Sequence, residues 1–269
     1  MKLAICNELF ENWDFKKVVQ FVSQIGYQGL EIAPFTIAES VTEISTAKRR
    51  EIFQIAADHG IEITGLHWLL VKPDGLYINH PEQAIRQRTV DYMKHLIDFC
   101  ADIGGQVMVF GSPNQRKIAD GISYEQAKQY AVDSYAQCGD KAAERDVFIC
   151  LEALPPAQTD FMTTNSEVLS VLKAVDHPHI QMMLDVKSMC TESISIPENI
   201  IQCQNFFRHV HANDANQRGP GFGQVDFRPI FQTLKQVQFD GFVSVEVFDY
   251  APDPETIATK SLAYMKECL

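Results

Sequence analysis

The chain has 269 residues, 46% hydrophobic and 22% charged, which excludes a disordered or fibrous protein and allows a core that needs no staples. Its formal net charge of −12 works against a polyanionic partner such as DNA, because that binding relies on cationic groups that displace counterions. The seven cysteines, Cys6, Cys100, Cys138, Cys150, Cys190, Cys203 and Cys268, are odd in number and never form a C-x-x-C pair, so neither a disulfide framework nor a zinc–thiolate site is expected.

The first apolar run, MKLAICNELF, is too short for a signal peptide, and no stretch approaches membrane-spanning length. With reduced thiols, this predicts a cytoplasmic protein with no membrane partner. The cluster Lys48-Arg49-Arg50 is answered by Glu51 and reads as a solvated helix face.

In chain order, Lys2 to Asn7 reads as a strand, and Phe15 to Ile25 as a helix ending at Gly26. Gly29 to Ala33 is the second strand. Ser45 caps the next helix, with Ile52, Phe53, Ile55 and Ala56 on its apolar face and Gly60 at its end. Ile61 to Trp68 is the third strand, and Pro81 opens a long helix that ends at Gly104-Gly105. Gln106 to Phe110 is the fourth strand, followed by a helix capped by Ser123 and running to about Arg145. Val147 to Glu152 is the fifth strand, with Cys150 as a small core residue, and Ser166 caps the helix through Val175. Ile180 to Asp185, Phe207 to His211 and Phe242 to Val247 are the last three strands. Pro197 to Gln204, Phe227 to Val237 and Pro254 to Cys268 are the last three helices.

Strands that are apolar on nearly every residue, alternating with amphipathic helices, predict parallel βαβ units. A doubly wound sheet would carry a glycine-rich turn after the first strand, where Asn7-Glu8-Leu9-Phe10 stands instead. The expectation is one (β/α)8 TIM barrel over residues 1–269, with no second domain.

Reactive groups in such a barrel sit at the C-terminal strand ends. Four consecutive ends carry Glu152, Asp185, His211 and Glu246. Singly, each could pair with a base or cap a helix. Together, three acids at one mouth repel one another, and a divalent cation resolves the conflict. Three carboxylates and an imidazole suit Mn²⁺, Mg²⁺, Co²⁺ or Zn²⁺, and the lack of thiolates leans toward Mn²⁺.

These segments carry a resemblance. LEALPPAQTDF around Glu152, LDVKSM around Asp185, HVHANDANQRGPGFGQVDF from His209 to Phe227, VSVEVF around Glu246 and GLEIAPF resemble the xylose-isomerase-like TIM-barrel superfamily. That superfamily includes ketose 3-epimerases, hydroxypyruvate isomerases, inosose dehydratases and type-IV apurinic endonucleases. The resemblance implies one catalytic metal on Glu152, Asp185, His211 and Glu246, with Glu152 and Glu246 also acting as acid and base. It further implies isomerisation or epimerisation of a sugar or sugar phosphate through a metal-stabilised cis-enediolate, and possible homo-oligomers.

The chain departs from the epimerase pattern at Ser188, where a substrate-gripping histidine is usual, and at Gln158, where a glutamate is common. Lys187 and Arg218 are candidate binders of substrate oxygen. The endonuclease branch needs further histidines than His67, and Gly111-Ser112-Pro113 and Ser188 supply none.

His67 and Trp68, at the third strand end, read as pocket residues or as a packed pair. Glu31 reads equally as a support for substrate or ligand and as a core acid paired to a lysine. His209 shares a strand face with His211 and either orients it or is a satisfied core histidine. Asp214 reads as a partner holding a ligand from behind or as a cap, and Asp226 as the cap of the helix from Phe227. The glycines of GPGFGQ read as a tight loop rather than a phosphate cradle. Rival readings are a dehydratase or lyase on a keto-sugar or keto-inositol, and a non-catalytic sugar- or metal-binding protein.

Overall fold

The computed structural model describes residues 1–269. The chain runs β1 (Lys2–Cys6), α1 (Phe15–Ile25), β2 (Gly29–Ile32), α2 (Thr46–Asp58), β3 (Glu62–Leu66), α3 (Gln83–Asp102), β4 (Val107–Phe110), α4 (Tyr124–Glu144) and β5 (Phe148–Leu151). It continues through α5 (Asn165–Val175), β6 (Ile180–Asp185), α6 (Val186–Met189), α7 (Ile196–Cys203), β7 (Phe207–Ala212), α8 (Phe227–Gln236), β8 (Phe242–Val245) and α9 (Pro254–Cys268).

Every strand pairs in parallel with the next, and β8 pairs with β1, closing the barrel. Parallel neighbours need a crossover, and the helices between strands supply it while covering the outer face. The alternation read from the sequence is therefore a (β/α)8 barrel. No helix is long and apolar enough to cross a membrane.

Local chemistry fixes the helix ends. Ser45 accepts from the Lys48 amide, and Ser123 forms a capping box with Gln126. Gly26 ends α1 at φ 101°, where a side chain would be strained. Asp226 caps α8 through the Arg228 amide.

Four local expectations need correction. Thr164 rather than Ser166 caps α5, because its hydroxyl accepts from the Glu167 amide and Ser166 lies inside the helix. Helix α3 begins at Gln83 rather than Pro81, with Glu82 in an extended conformation before it. Phe53 is 46% exposed rather than packed in the core. Arg49 is not a solvated residue: it donates to the carbonyls of Ile44 and Val41 and pairs with Asp102 at 2.9 Å, tying α2 to α3.

The core divides into two regions. A large apolar cluster fills the layer between strands and helices, whereas Val109, Cys150 and Met183 form a small separate cluster from β4, β5 and β6. Across the barrel the interior is polar. Glu31 on β2 accepts from His209 on β7 at 2.8 Å, a bond between strands that are not sheet neighbours. Cys6 packs beside it, 3.6 Å from Glu31 and 3.5 Å from Ser244. The barrel interior thus holds a small apolar cluster on one side and a hydrogen-bonded support on the other.

Candidate metal centre

Each of the four strand-end residues is set by its backbone. The Glu152 amide continues the ladder by donating to the Phe110 carbonyl at 3.3 Å, and the Glu246 amide donates to Ala212 in the same way. Asp185 and His211 are direct partners in the β6–β7 register. One donor atom from each of Glu152, Asp185, His211 and Glu246 falls within 4.8 Å of all the others, and all four residues are buried.

The neighbours orient these donors. Asp185 caps α6: its Oδ1 accepts from the Ser188 amide at 2.6 Å, and its Oδ2 accepts from the Asn213 side-chain amide at 2.6 Å. Asn213 in turn accepts from the Lys187 amide. His211 offers Nε2 to Glu31 at 3.1 Å, which leaves Nδ1 toward Glu246. A carboxylate behind a ligating histidine fixes the ring and its tautomer. Arg116, fully buried, donates to the carbonyls of Glu152 and Phe110 and so locks the ends of β4 and β5 together. Gly111 leaves room for the Glu152 carboxylate, since a Cβ there would lie 1.7 Å from Oε2.

The donor set fits a divalent cation. His211 Nδ1 and Glu246 Oε2 lie 3.1 Å apart without hydrogen-bond alignment, and both are buried atoms with no hydrogen-bond partner. Such atoms are costly unless something binds them. Burial and the charges of Asp185 and Glu246 push the Glu152 carboxyl up to about 8. Burial also acts to raise Glu246, but the charges of His211, His67 and Lys187 hold it below the usual carboxylate value. Burial opposes charge on His211, and the Glu246 and Glu31 carboxylates override it, lifting the imidazole well above its ordinary value. Glu31, despite burial, is held well below the carboxylate range by His209 and His211. A cation held at this point would replace protons as the neutralising charge.

The mouth forms a narrow cavity beside the cluster. Glu152 and Glu246 both line it, with His67, Trp68, Gln158, Lys187 and Phe248. His67 is buried and bonded to Glu8 at 2.7 Å. Trp68 has φ 53°, a conformation a bulky residue adopts only when its surroundings impose it, and its ring meets Phe248 edge-on. Lys187 Nζ lies 4.2 Å from the centre of the Phe248 ring. The side-chain oxygen of Gln158 is buried and unpartnered.

Ser188 and Arg218 are not on the cavity wall. The Ser188 hydroxyl is buried without a partner, and Arg218 pairs with Asp249 at 2.7 Å near the surface. Asp214 does not touch the donors; it accepts from the Val225 amide and packs against Gly223, which makes the glycine segment a tight loop. His209 shares Glu31 with His211 rather than touching it through a hydrogen bond, and the partner of Glu31 is a pair of histidines, not a lysine.

The sequence reading missed Glu8, Gly111, Arg116, Asn213 and Phe248. Phe248 alone carried a usable signal, standing two residues after Glu246 and hence on the same side of an extended chain.

A D-psicose 3-epimerase from Ruminiclostridium cellulolyticum is 25% identical over 240 residues, covering 87% of this chain and 78% of that protein. A 3-dehydro-D-guloside 4-epimerase from Escherichia coli is 22% identical and aligns over the whole of both chains. Among solved structures, a D-psicose 3-epimerase determined in the presence of D-fructose superposes with a TM-score of 0.89 at 20% identity, covering 100% of this chain and 99% of that one. With its closed parallel barrel, and with a family profile matching residues 19–268, the chain belongs to the xylose isomerase-like TIM barrel family.

Proposed function

We propose that this protein is a divalent-metal-dependent isomerase or epimerase of a small sugar or sugar phosphate, moving a proton at the carbon next to a carbonyl. The observation that carries the reading is the double role of Glu152 and Glu246, which belong to the four-donor cluster and also face the cavity. A binding protein needs no such pair. The relatives named as ketose 3-epimerases, and their similar length, support the same reading.

Glu152, Asp185, His211 and Glu246 would hold the ion, and Mn²⁺ is the metal we favour for a set rich in carboxylate and free of thiolate. When bound, the ion supplies Lewis acidity that polarises the carbonyl and lowers the cost of carbanion character beside it.

The remaining work falls to side chains. An ionised carboxylate on one wall removes the carbon-bound proton, and a protonated carboxyl on the other wall returns one. Removal by one glutamate and return by the other inverts the carbon. Removal and return by the same glutamate on adjacent carbons interconverts aldose and ketose. In this reading Trp68 and Phe248, on the cavity wall, would exclude water and present aromatic faces to the C–H side of a sugar, and Lys187 and Gln158, which line the same cavity, would bind hydroxyls. Ser188 and Gln158, standing where epimerases carry histidine and glutamate, point to a substrate other than the common ketohexoses. We take residues 1–269 as one domain.

The test is deuterium uptake from D₂O across a panel of ketoses, ketose phosphates and keto-inositols with added Mn²⁺, read by NMR and mass spectrometry. Exchange next to the carbonyl, abolished by EDTA, is the expected result. Loss of water, seen as a mass change, would move the protein to the dehydratase class. No exchange in a metal-loaded protein would count against the reading.

A further inference from the structure

The four donors of the metal centre are not held alike. Asp185 is oriented by the Ser188 amide and Asn213, and His211 by Glu31. The Glu152 carboxylate makes no hydrogen bond to the protein. Its backbone must therefore fix its place. The β4–β5 ladder ends in register at Phe110 and Leu151, so Glu152 is the first residue beyond it. Its amide reaches the Phe110 carbonyl at 3.3 Å, long for such a bond, whereas its carbonyl accepts from Arg116 Nη1 at 2.6 Å.

Arg116 spends both terminal nitrogens here, since Nη2 donates to the Phe110 carbonyl. One planar fork thus spans two neighbouring strand ends, a geometry that an ammonium cannot copy. The residue is also expensive. It is fully buried, and its partners are carbonyls rather than a carboxylate at ion-pair distance. A guanidinium taken out of water in this way works against stability, and an apolar side chain of similar bulk would avoid that cost. The Arg116 segment is in turn anchored. Asn79 donates to the Arg116 carbonyl at 2.5 Å, and the Ile78 amide donates to the Gln115 carbonyl at 2.9 Å. Both come from the connection between β3 and α3, which also carries Trp68.

We propose that Arg116 is the positioning residue for Glu152. Through the Glu152 carbonyl it fixes where the carboxylate stands relative to Asp185, His211 and Glu246, and it sets metal affinity without touching the ion. The inference rests on the reading of Glu152 as a metal ligand.

The test is a double-mutant cycle read by calorimetric Mn²⁺ titration, with melting temperatures taken on the same samples. Arg116→Met keeps the bulk and removes the donors. In the wild-type background it should weaken Mn²⁺ binding about 10- to 100-fold. In the Glu152→Ala background it should weaken binding no further, because the residue it acts through is gone. A lower melting temperature should appear in both backgrounds, so a stability loss alone does not produce this pattern. Arg116→Lys keeps the charge but not the fork and should bind Mn²⁺ with intermediate affinity; it replaces Arg116→Met in the cycle if that variant does not fold. Equal losses of affinity in both backgrounds would mark a general loosening of the barrel and overturn the proposal. Wild-type affinity in the Arg116 variant, beside a loss in Glu152→Ala, would overturn this inference alone. Wild-type affinity in Glu152→Ala would overturn the ligand reading and this inference with it.

Discussion

Glu31 reaches across the barrel from β2 to hold His211 on β7, with 3.1 Å between Oε1 and Nε2. Its other oxygen takes His209 at 2.8 Å, so one buried carboxylate fixes both rings of the H-x-H segment. Glu31→Gln keeps the shape and one acceptor oxygen but removes the charge. We expect Mn²⁺ affinity to fall about 10- to 100-fold, the range found for partners that orient a ligand from behind. Calorimetric metal titration checks this, and an unchanged affinity would show that His211 needs no such support.

Gly111 and Glu152 face each other across the β4–β5 ends, and the steric margin there is specific. A methyl group at position 111 meets the Glu152 carboxylate rather than backbone, so the side chain can swing away and the fold survives. Gly111→Ala is therefore expected to keep a near-native melting temperature while losing metal affinity and turnover together. A large drop in melting temperature with normal metal binding in the remaining folded protein would contradict this account.

Metal removal should destabilise the chain, because it leaves three buried, mutually repelling carboxylates with a single imidazole among them. Ligand present at 100 times its dissociation constant adds about 2.7 kcal/mol, which is about 5–10 °C in melting temperature for a protein of this size. Thermal melts with EDTA and with excess Mn²⁺ measure it. Identical melts, with metal binding shown independently, would mean the apo site is relieved in some other way.

Acid should weaken the outer helical layer at Asp102. Burial works to raise this carboxyl, but Arg145 and Arg49, both within 2.9 Å, lower it below its usual value. A depressed folded-state pKa gives stability that is complete above the unfolded value and is lost as the pH falls through the folded one. Asp102→Asn should thus cost about 0.5–1 kcal/mol at neutral pH, discounted for partial exposure, and the gap should close below about pH 4. Urea melts across pH 3–7 on both proteins provide the comparison.

Much of this architecture was legible because it rests on local pattern. The 3.6-residue periodicity and the Ser45, Ser123 and Gly26 signals fixed helices near their observed ends, and the apolar strands fixed the parallel sheet. The four donors were legible because a charged residue ending a buried strand is expensive, and four in succession share one explanation. What escaped depended on contacts between distant segments. Arg116 lies in a loop after β4 and reads as a surface base until its guanidinium meets the Glu152 carbonyl. Glu8 sits just past β1 and has meaning only through His67, 59 residues away. Ser166 looked like a cap because Ser, Thr and Asn stand together in TTNSE, and only the backbone turn selects Thr164.

The central claim is that Glu152 and Glu246 move a proton, beyond holding an ion. Its most direct test compares Glu152→Gln and Glu246→Gln with the wild type at saturating Mn²⁺, with metal occupancy and melting temperature measured on the same samples. The reading predicts metal-loaded, folded variants whose solvent-deuterium exchange into substrate falls at least about 100-fold. Wild-type exchange rates in both metal-loaded variants would show that neither glutamate is the acid or base.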